Sequence, residues 1–213
     1  MKILVTNGPG EQAKLQSLAR AWPQVWQGHV LDVGCRSKML QIVLAEAEKD
    51  VHYYGFDLYA PADVVGNLEQ GLPFTSAFFT TVVALDVLEH TDNIYAAFAE
   101  LCRVSRQYVF IALPNAYDVS SRMRFLRGQS LSLKYGLPSE PPLDRHRWLF
   151  SWNEAKRFMH AMGGKYGFTV LAEGCLIGAR RGMATGRLLV RSFPNMFSPW
   201  YIALLNRPEM DRR

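Results

Sequence analysis

The chain has 213 residues, 49% hydrophobic and 20% charged, with a formal net charge of +5. Those proportions belong to a globular domain with a sizeable core, and they exclude a mainly disordered, fibrous or disulfide-stapled chain. The cysteines Cys35, Cys102 and Cys175 are widely spaced and form no CxxC pair, so they predict neither a disulfide framework nor a zinc ribbon and fit a reducing, cytoplasmic setting.

The opening MKILVTNGPGEQ turns polar too early for a signal peptide, and no long apolar run occurs, so neither export by that route nor a membrane span is expected. Residues 1–28 read as a lead-in with a short helix from Glu11 to Trp22, ended by Pro23, and residues 29–213 as one domain. His29 to Val33 is a buried-type strand, and Met39 to Glu48 has apolar residues at helical spacing. Val51 to Asp57 is a second strand and Asp63 to Val65 a shorter third. Phe79 to Leu85 (FTTVVAL) is uncharged and β-branched, as a strand covered on both faces should be. Thr91 to Val104 carries an apolar stripe at 94, 97, 98, 101 and 104 and reads as a helix capped by Thr91 or Asp92. Tyr108 to Leu113 is a fifth strand, closed by Pro114-Asn115. Residues 116–150 break the rhythm and read as a lid-like insertion over the sheet's C-terminal edge. Ser151 to Met162 is a helix with a capping box to Glu154, and Phe168 to Glu173 and Trp200 to Leu205 are the last strands. Alternating strands and helices with uncharged strands predict an α/β fold on a mostly parallel sheet, with its ligand at the C-terminal strand ends.

Four signals stand in order at those ends: Leu31-Asp32-Val33-Gly34-Cys35, then Phe56-Asp57, then Asn67-Leu68-Glu69, then Ala84-Leu85-Asp86-Val87-Leu88-Glu89-His90. Gly34 lets backbone approach a ligand, and Asp57 is placed to accept hydrogen bonds from a ribose diol. With its LDVGC turn and DVLEH segment, the sequence resembles the class I S-adenosylmethionine-dependent methyltransferases over about residues 29–115, and more weakly beyond. The resemblance implies a Rossmann-like, mostly parallel seven-stranded sheet with an antiparallel last strand, and S-adenosyl-L-methionine as cofactor. It places Asp32 and Gly34 beside the cofactor's methionine moiety, Asp57 on the ribose, Leu58, Asn67 and Leu68 around adenine, and the Leu85 backbone near the amino group. The family's glycine-rich turn departs here to Arg36 and Lys38. Either those side chains fill the cofactor site, leaving a degenerate binding or scaffold protein, or Arg36 pairs with the cofactor's carboxylate. A dinucleotide reductase is disfavoured because GxGxxG is absent.

Methyl transfer requires alignment and, for some acceptors, a base. His90, just past the fourth strand, is the first candidate for that base, against a plain helix-capping role; His146 is its rival. The spacing of Asp86, Glu89 and His90 would also suit a divalent ion, but no metal is the primary expectation. The cluster Asp144-Arg145-His146-Arg147-Trp148, with Tyr135 and Asn115, suggests recognition of a polar or anionic acceptor, or else a salt-bridge knot that anchors the insertion. Residues 145–213 hold 12 Lys and Arg against 4 Asp and Glu, whereas residues 1–144 hold 12 against 15. Within that basic third, Arg180 to Trp200 mixes arginines with Leu188, Leu189, Phe193 and Phe197, a composition that suits peripheral membrane contact, a homodimer interface or simple cover for the sheet edge. Nucleic acid is not expected as a partner. The expected activity is methylation of an oxygen or nitrogen on a small or membrane-associated, lipid-linked acceptor.

Overall fold

The computed structural model describes residues 1–6, 10–131, 133–137, 139–140, 145–178 and 184–208. In chain order its strands are β1 (Lys2–Thr6), β2 (Gly28–Val33), β3 (Val51–Asp57), β4 (Val64–Val65), β5 (Phe79–Leu85), β6 (Ser105–Pro114), β7 (Thr169–Gly178) and β8 (Trp200–Asn206). Its helices are α1 (Glu11–Ala21), α2 (Met39–Glu46), α3 (Ile94–Val104), α4 (Val119–Leu126), α5 (Trp152–Lys165), α6 (Ala184–Ser192) and the single turn α7 (Pro194–Phe197).

The strands form one sheet in the order β1-β7-β8-β6-β5-β2-β3-β4. All neighbours are parallel except β8, which runs antiparallel to both β6 and β7. The fold is the expected α/β class with its reversed last strand, but the sheet has eight strands rather than seven. The addition is β1, which lies within the residues read as a lead-in and pairs with β7 from Lys2↔Gly174 to Thr6↔Gly178.

Alternation along the central strands divides the core into two layers. On β5, β6 and β8, Val82, Ala84, Val109, Ile111, Tyr201 and Ala203 face α3 and α5. Val83, Phe110, Ala112, Ile202 and Leu204 face the other way, toward α1 and α2. Helix α3 buries Ile94, Ala97, Phe98, Leu101, Cys102 and Val104, the expected stripe plus Cys102. At roughly 1.5–3 kcal/mol for each fully buried large apolar side chain, such stripes hold the helices on the sheet. The cap of α3 is Asn93, whose side chain accepts from the Ala96 N–H, and not Thr91 or Asp92. Thr91 instead donates its hydroxyl hydrogen to the Leu88 carbonyl. Helix α5 has the expected capping box between Ser151 and Glu154.

The chain leaves β2 toward β3 on one side and later returns to β5 on the other, so the connections diverge between β2 and β5. A divergence of this kind opens a crevice beyond the strands' C-terminal ends.

Candidate active site

A cavity of about 1020 Å³ occupies that crevice. Its floor is the turn after β2 (Gly34, Cys35, Arg36) and the end of β5 (Leu85, Asp86), and α1 closes one side with Glu11 and Lys14.

The turn is left-handed where no glycine stands. Gly34 has φ +76°, Arg36 φ +47° and Lys38 φ +58°. A side chain in that region costs about 1–2 kcal/mol, so the glycine-rich backbone path persists despite two long residues. Gly34 itself is demanded by space as well, because a Cβ there would lie 2.5 Å from Val87 Cγ2. The Gly34 and Cys35 N–H groups donate to the Phe56 carbonyl, which ties the turn to β3. The Lys38 side chain turns to Asp63 and forms an ion pair, leaving the cavity clear of its ammonium group. Arg36 is exposed and stands at the cavity's edge. Its backbone N–H donates to Asp57 Oδ2 at 2.8 Å, while the Leu58 N–H donates to Oδ1 at 2.7 Å. The Asp57 carboxylate is thus fixed in orientation, and with about four lone-pair sites it can accept further donors.

Asp57, Leu58 and Asn67 lie along the ends of β3 and β4, beside the enclosed part of the cavity rather than on its wall. Leu58 is 53% exposed and offers an apolar surface. Asn67 accepts from the Glu69 N–H, and the Leu68 side chain is buried in the core. Asp32 lies on the cavity wall and is itself buried, accepting from the Tyr53 hydroxyl at 2.8 Å. Burial raises its pKa to about 7, with the charges of Glu11 and Asp57 adding to the effect.

Opposite the turn, residues distant in sequence converge. Glu89 carries no exposed surface, and His90 and His146 each place Nε2 near its Oε1, at 4.0 and 3.8 Å. Burial drives the Glu89 carboxyl well above the usual carboxylate range, with the nearby Asp86 charge reinforcing it. The insertion reaches this point because the Arg147 and Trp148 N–H groups both donate to the Glu89 carbonyl, at 2.8 and 3.4 Å. Trp148 Nε1–H donates to the Thr91 carbonyl, and the Arg147 guanidinium pairs with exposed Asp92. Arg147 and Trp148 therefore anchor the insertion to the start of α3, and Arg145 points to solvent while its carbonyl meets His90. Asp144 lies outside the described residues, as do residues 180–183 of the basic segment.

Asn115 is likewise a support: its amide donates to the Asn195 and Ser198 carbonyls, and its Oδ1 accepts from the Tyr117 N–H. Asp86 does not join the Glu89 cluster. It takes an ion pair from Lys14 and a 3.1 Å hydrogen bond from Trp200 Nε1, and these contacts draw α1, β5 and β8 together across the cavity. Lys14, Tyr53 and Trp200 were not candidates from sequence. Each is a lone polar or aromatic residue whose importance depends on where distant elements meet.

A family model described as a methyltransferase domain matches residues 11–173. The chain belongs to this family. The methyltransferase domain is also similar to solved structures of low identity, which establish the fold alone. The magnesium protoporphyrin IX methyltransferase of Synechocystis PCC 6803, solved with bound SAH, has a TM-score of 0.59 and 16% identity over 94% of this chain and 90% of that one. The small RNA methyltransferase HEN1 has a TM-score of 0.67 and 14% identity, over 99% of this chain but 27% of its own. The cyclase SpnF has a TM-score of 0.59 and 12% identity, over 98% of this chain and 87% of that one. No curated relative matches the chain. No described helix of the methyltransferase domain is long and apolar enough to cross a membrane.

Proposed function

We propose that this methyltransferase domain binds S-adenosylmethionine along the Gly34–Arg36 turn and transfers its methyl group to an oxygen or nitrogen of a small or lipid-linked acceptor. The observation that carries the reading is the single cavity that joins the left-handed turn after β2 to the Glu89–His146 wall. The residues present fit the cofactor. The turn keeps its backbone path, Lys38 is drawn off to Asp63, and the Asp57 carboxylate is preset by two N–H donors for a diol. Leu58 supplies an apolar face for the adenine ring, Asp32 an acceptor for the amino group, and exposed Arg36 a guanidinium for the carboxylate. These features favour retained binding over the degenerate alternative.

When bound, the cofactor supplies a methyl group already activated by its sulfonium. An acceptor hydroxyl or amine that took this group would have to give up a proton. The protein's share is chiefly alignment and removal of that proton. His146, on the cavity wall beside Glu89, stands where the proton must leave, with His90 behind it. The lipid-linked acceptor is supported by α6, which exposes Leu188 and Leu189 with Phe193 just beyond it, next to Arg187 and Arg191.

Isothermal titration with S-adenosylmethionine and S-adenosylhomocysteine, beside Asp57→Ala, tests the reading. Micromolar binding that the variant weakens at least tenfold is the expected result. Folded protein that binds neither compound at millimolar concentration would overturn it.

A further inference from the structure

Glu89 presents a problem that its fold does not solve. The side chain is fully buried, and neither carboxylate oxygen has a hydrogen-bond partner among the described residues. An isolated buried carboxylate costs several kcal/mol, on the order of a lost ion pair, so the group either keeps a proton or takes a cation beside it.

The two imidazoles beside it are oriented by their far nitrogens. His90 Nδ1 lies 3.0 Å from the Arg145 carbonyl, which can only accept, so Nδ1 carries the hydrogen. His146 Nδ1 lies 3.0 Å from the Tyr135 hydroxyl, and that hydroxyl gives its own hydrogen to the Trp148 carbonyl at 3.0 Å. The hydroxyl therefore accepts, and His146 Nδ1 also carries the hydrogen. In both neutral rings Nε2 is then the lone-pair atom, and both Nε2 atoms are the ones near Glu89 Oε1. One ligand atom from each of Glu89, His90 and His146 lies within 4.8 Å of the others.

Three lone-pair donors converging on one point repel one another unless a proton or a metal cation stands between them, and a metal cation engages all three at once. Ligand atoms about 2.0–2.2 Å from an ion sit roughly 3–3.5 Å apart, so the observed 3.8 and 4.0 Å separations need to close by about 0.3–1 Å for both imidazoles and the carboxylate to reach one ion. The Arg145 carbonyl and Tyr135 hydroxyl are the outer partners that fix imidazole tautomers at metal sites. Two imidazoles and one carboxylate select a transition ion over magnesium or calcium, which prefer oxygen alone.

We propose that Glu89, His90 and His146 bind a divalent transition-metal ion in the cavity wall, where its remaining positions receive the acceptor's oxygen. The set differs from the one that the DxxEH spacing suggests, because Asp86 is held by Lys14 and Trp200 and His146 takes its place from the insertion. The ion would lower the pKa of an acceptor hydroxyl, and because His146 would then be a ligand and not a free base, the hydroxyl proton would pass to solvent water as the methyl group arrives. Its use in catalysis rests on the methyl-transfer reading; its binding does not.

The test is Co(II) titration of chelator-treated protein, followed by heat and by visible absorption of the Co(II) centre. One equivalent is expected to bind with micromolar affinity, falling at least 100-fold in Glu89→Gln and His146→Ala and about tenfold in Tyr135→Phe. Asp57→Ala should bind Co(II) as the parent protein does, which separates failure at this site from failure of the cofactor reading. Thermal unfolding establishes that each variant is folded, and should Glu89→Gln not fold, His146→Ala and Tyr135→Phe decide. Absence of saturable binding at millimolar Co(II), or binding that the folded variants leave unchanged, would overturn the proposal and leave a His–Glu–His proton relay in its place.

Discussion

Asp32→Asn isolates what the cavity costs the fold. Asp32 is buried, so its pKa rises from the ordinary 3.8 to about 7. Between those values the folded state holds a proton that the unfolded chain has released. Stability from this group is therefore intact below about pH 4, falls as pH rises, and reaches its full deficit above pH 7. Three pH units at roughly 1.4 kcal/mol each give about 4 kcal/mol for a group titrating alone. The asparagine keeps the shape and an oxygen to accept from the Tyr53 hydroxyl, but it never ionises. Urea unfolding of both proteins at pH 4.5, 6 and 7.5 should show the variant gaining on the parent as pH rises, by about 3 kcal/mol across that window, since about 1 kcal/mol of the deficit is already present at pH 4.5. Saturating S-adenosylmethionine should narrow that gap, because the cofactor's ammonium group favours the charged aspartate. Stability curves that run parallel from pH 4.5 to 7.5 would refute the assignment of a raised pKa to Asp32, and with it the link between this carboxyl and the cofactor's cation.

Arg36→Gly relieves a left-handed arginine but removes the guanidinium at the cavity's edge, so thermal unfolding should rise or hold while cofactor affinity falls about tenfold, roughly one charge-assisted hydrogen bond. Equal affinity in the variant would mean that Arg36 contributes only its backbone N–H to Asp57. Ser151→Ala breaks the capping box of α5 and should cost about 1 kcal/mol, a fall of roughly 2–4 °C in Tm for a domain of this size, with cofactor binding unchanged. No loss of stability would show that the packing of α5 against β8 holds the helix without its cap.

How far the sequence carried depended on whether the deciding interactions were local. Strand β5 was legible because it is an uncharged run buried on both faces, β2 and β6 because their apolar residues cluster at buried positions beside the single charges Asp32 and Arg106, and α3 and α5 because each presents one apolar stripe. Helices α4 and α6 had no such stripe to read: α4 buries no side chain and α6 buries only Val190. Strand β1 is a short edge strand whose partner lies at the far end of the chain, and its run Ile3-Leu4-Val5 was the one available signal. Within the site, the strand-end residues were legible because the fold class dictates where ligands sit. The convergence of Glu89 with His146 was not, since it follows from two N–H groups of the insertion meeting the Glu89 carbonyl. The turn was misleading in the opposite direction, because two non-glycine residues adopt the left-handed backbone that glycine would have announced.

The pairing of Lys2 with Gly174 also sets an order of events during synthesis. Helix α1 and β1 are made before the other elements described, yet β1 has no strand neighbour until β7 has been made about 170 residues later, a contact of very high sequence separation. The central strands and both their helical layers are able to condense before then. Because Lys14 must also find Asp86 and Trp200, the wall over the cavity closes only when β8 is in place. A nascent or truncated chain that ends before β8 can thus possess much of the core and most of the chamber's lining yet lack the Pro199–Trp200 side that encloses it, so a closed ligand site is among the last properties the polypeptide acquires.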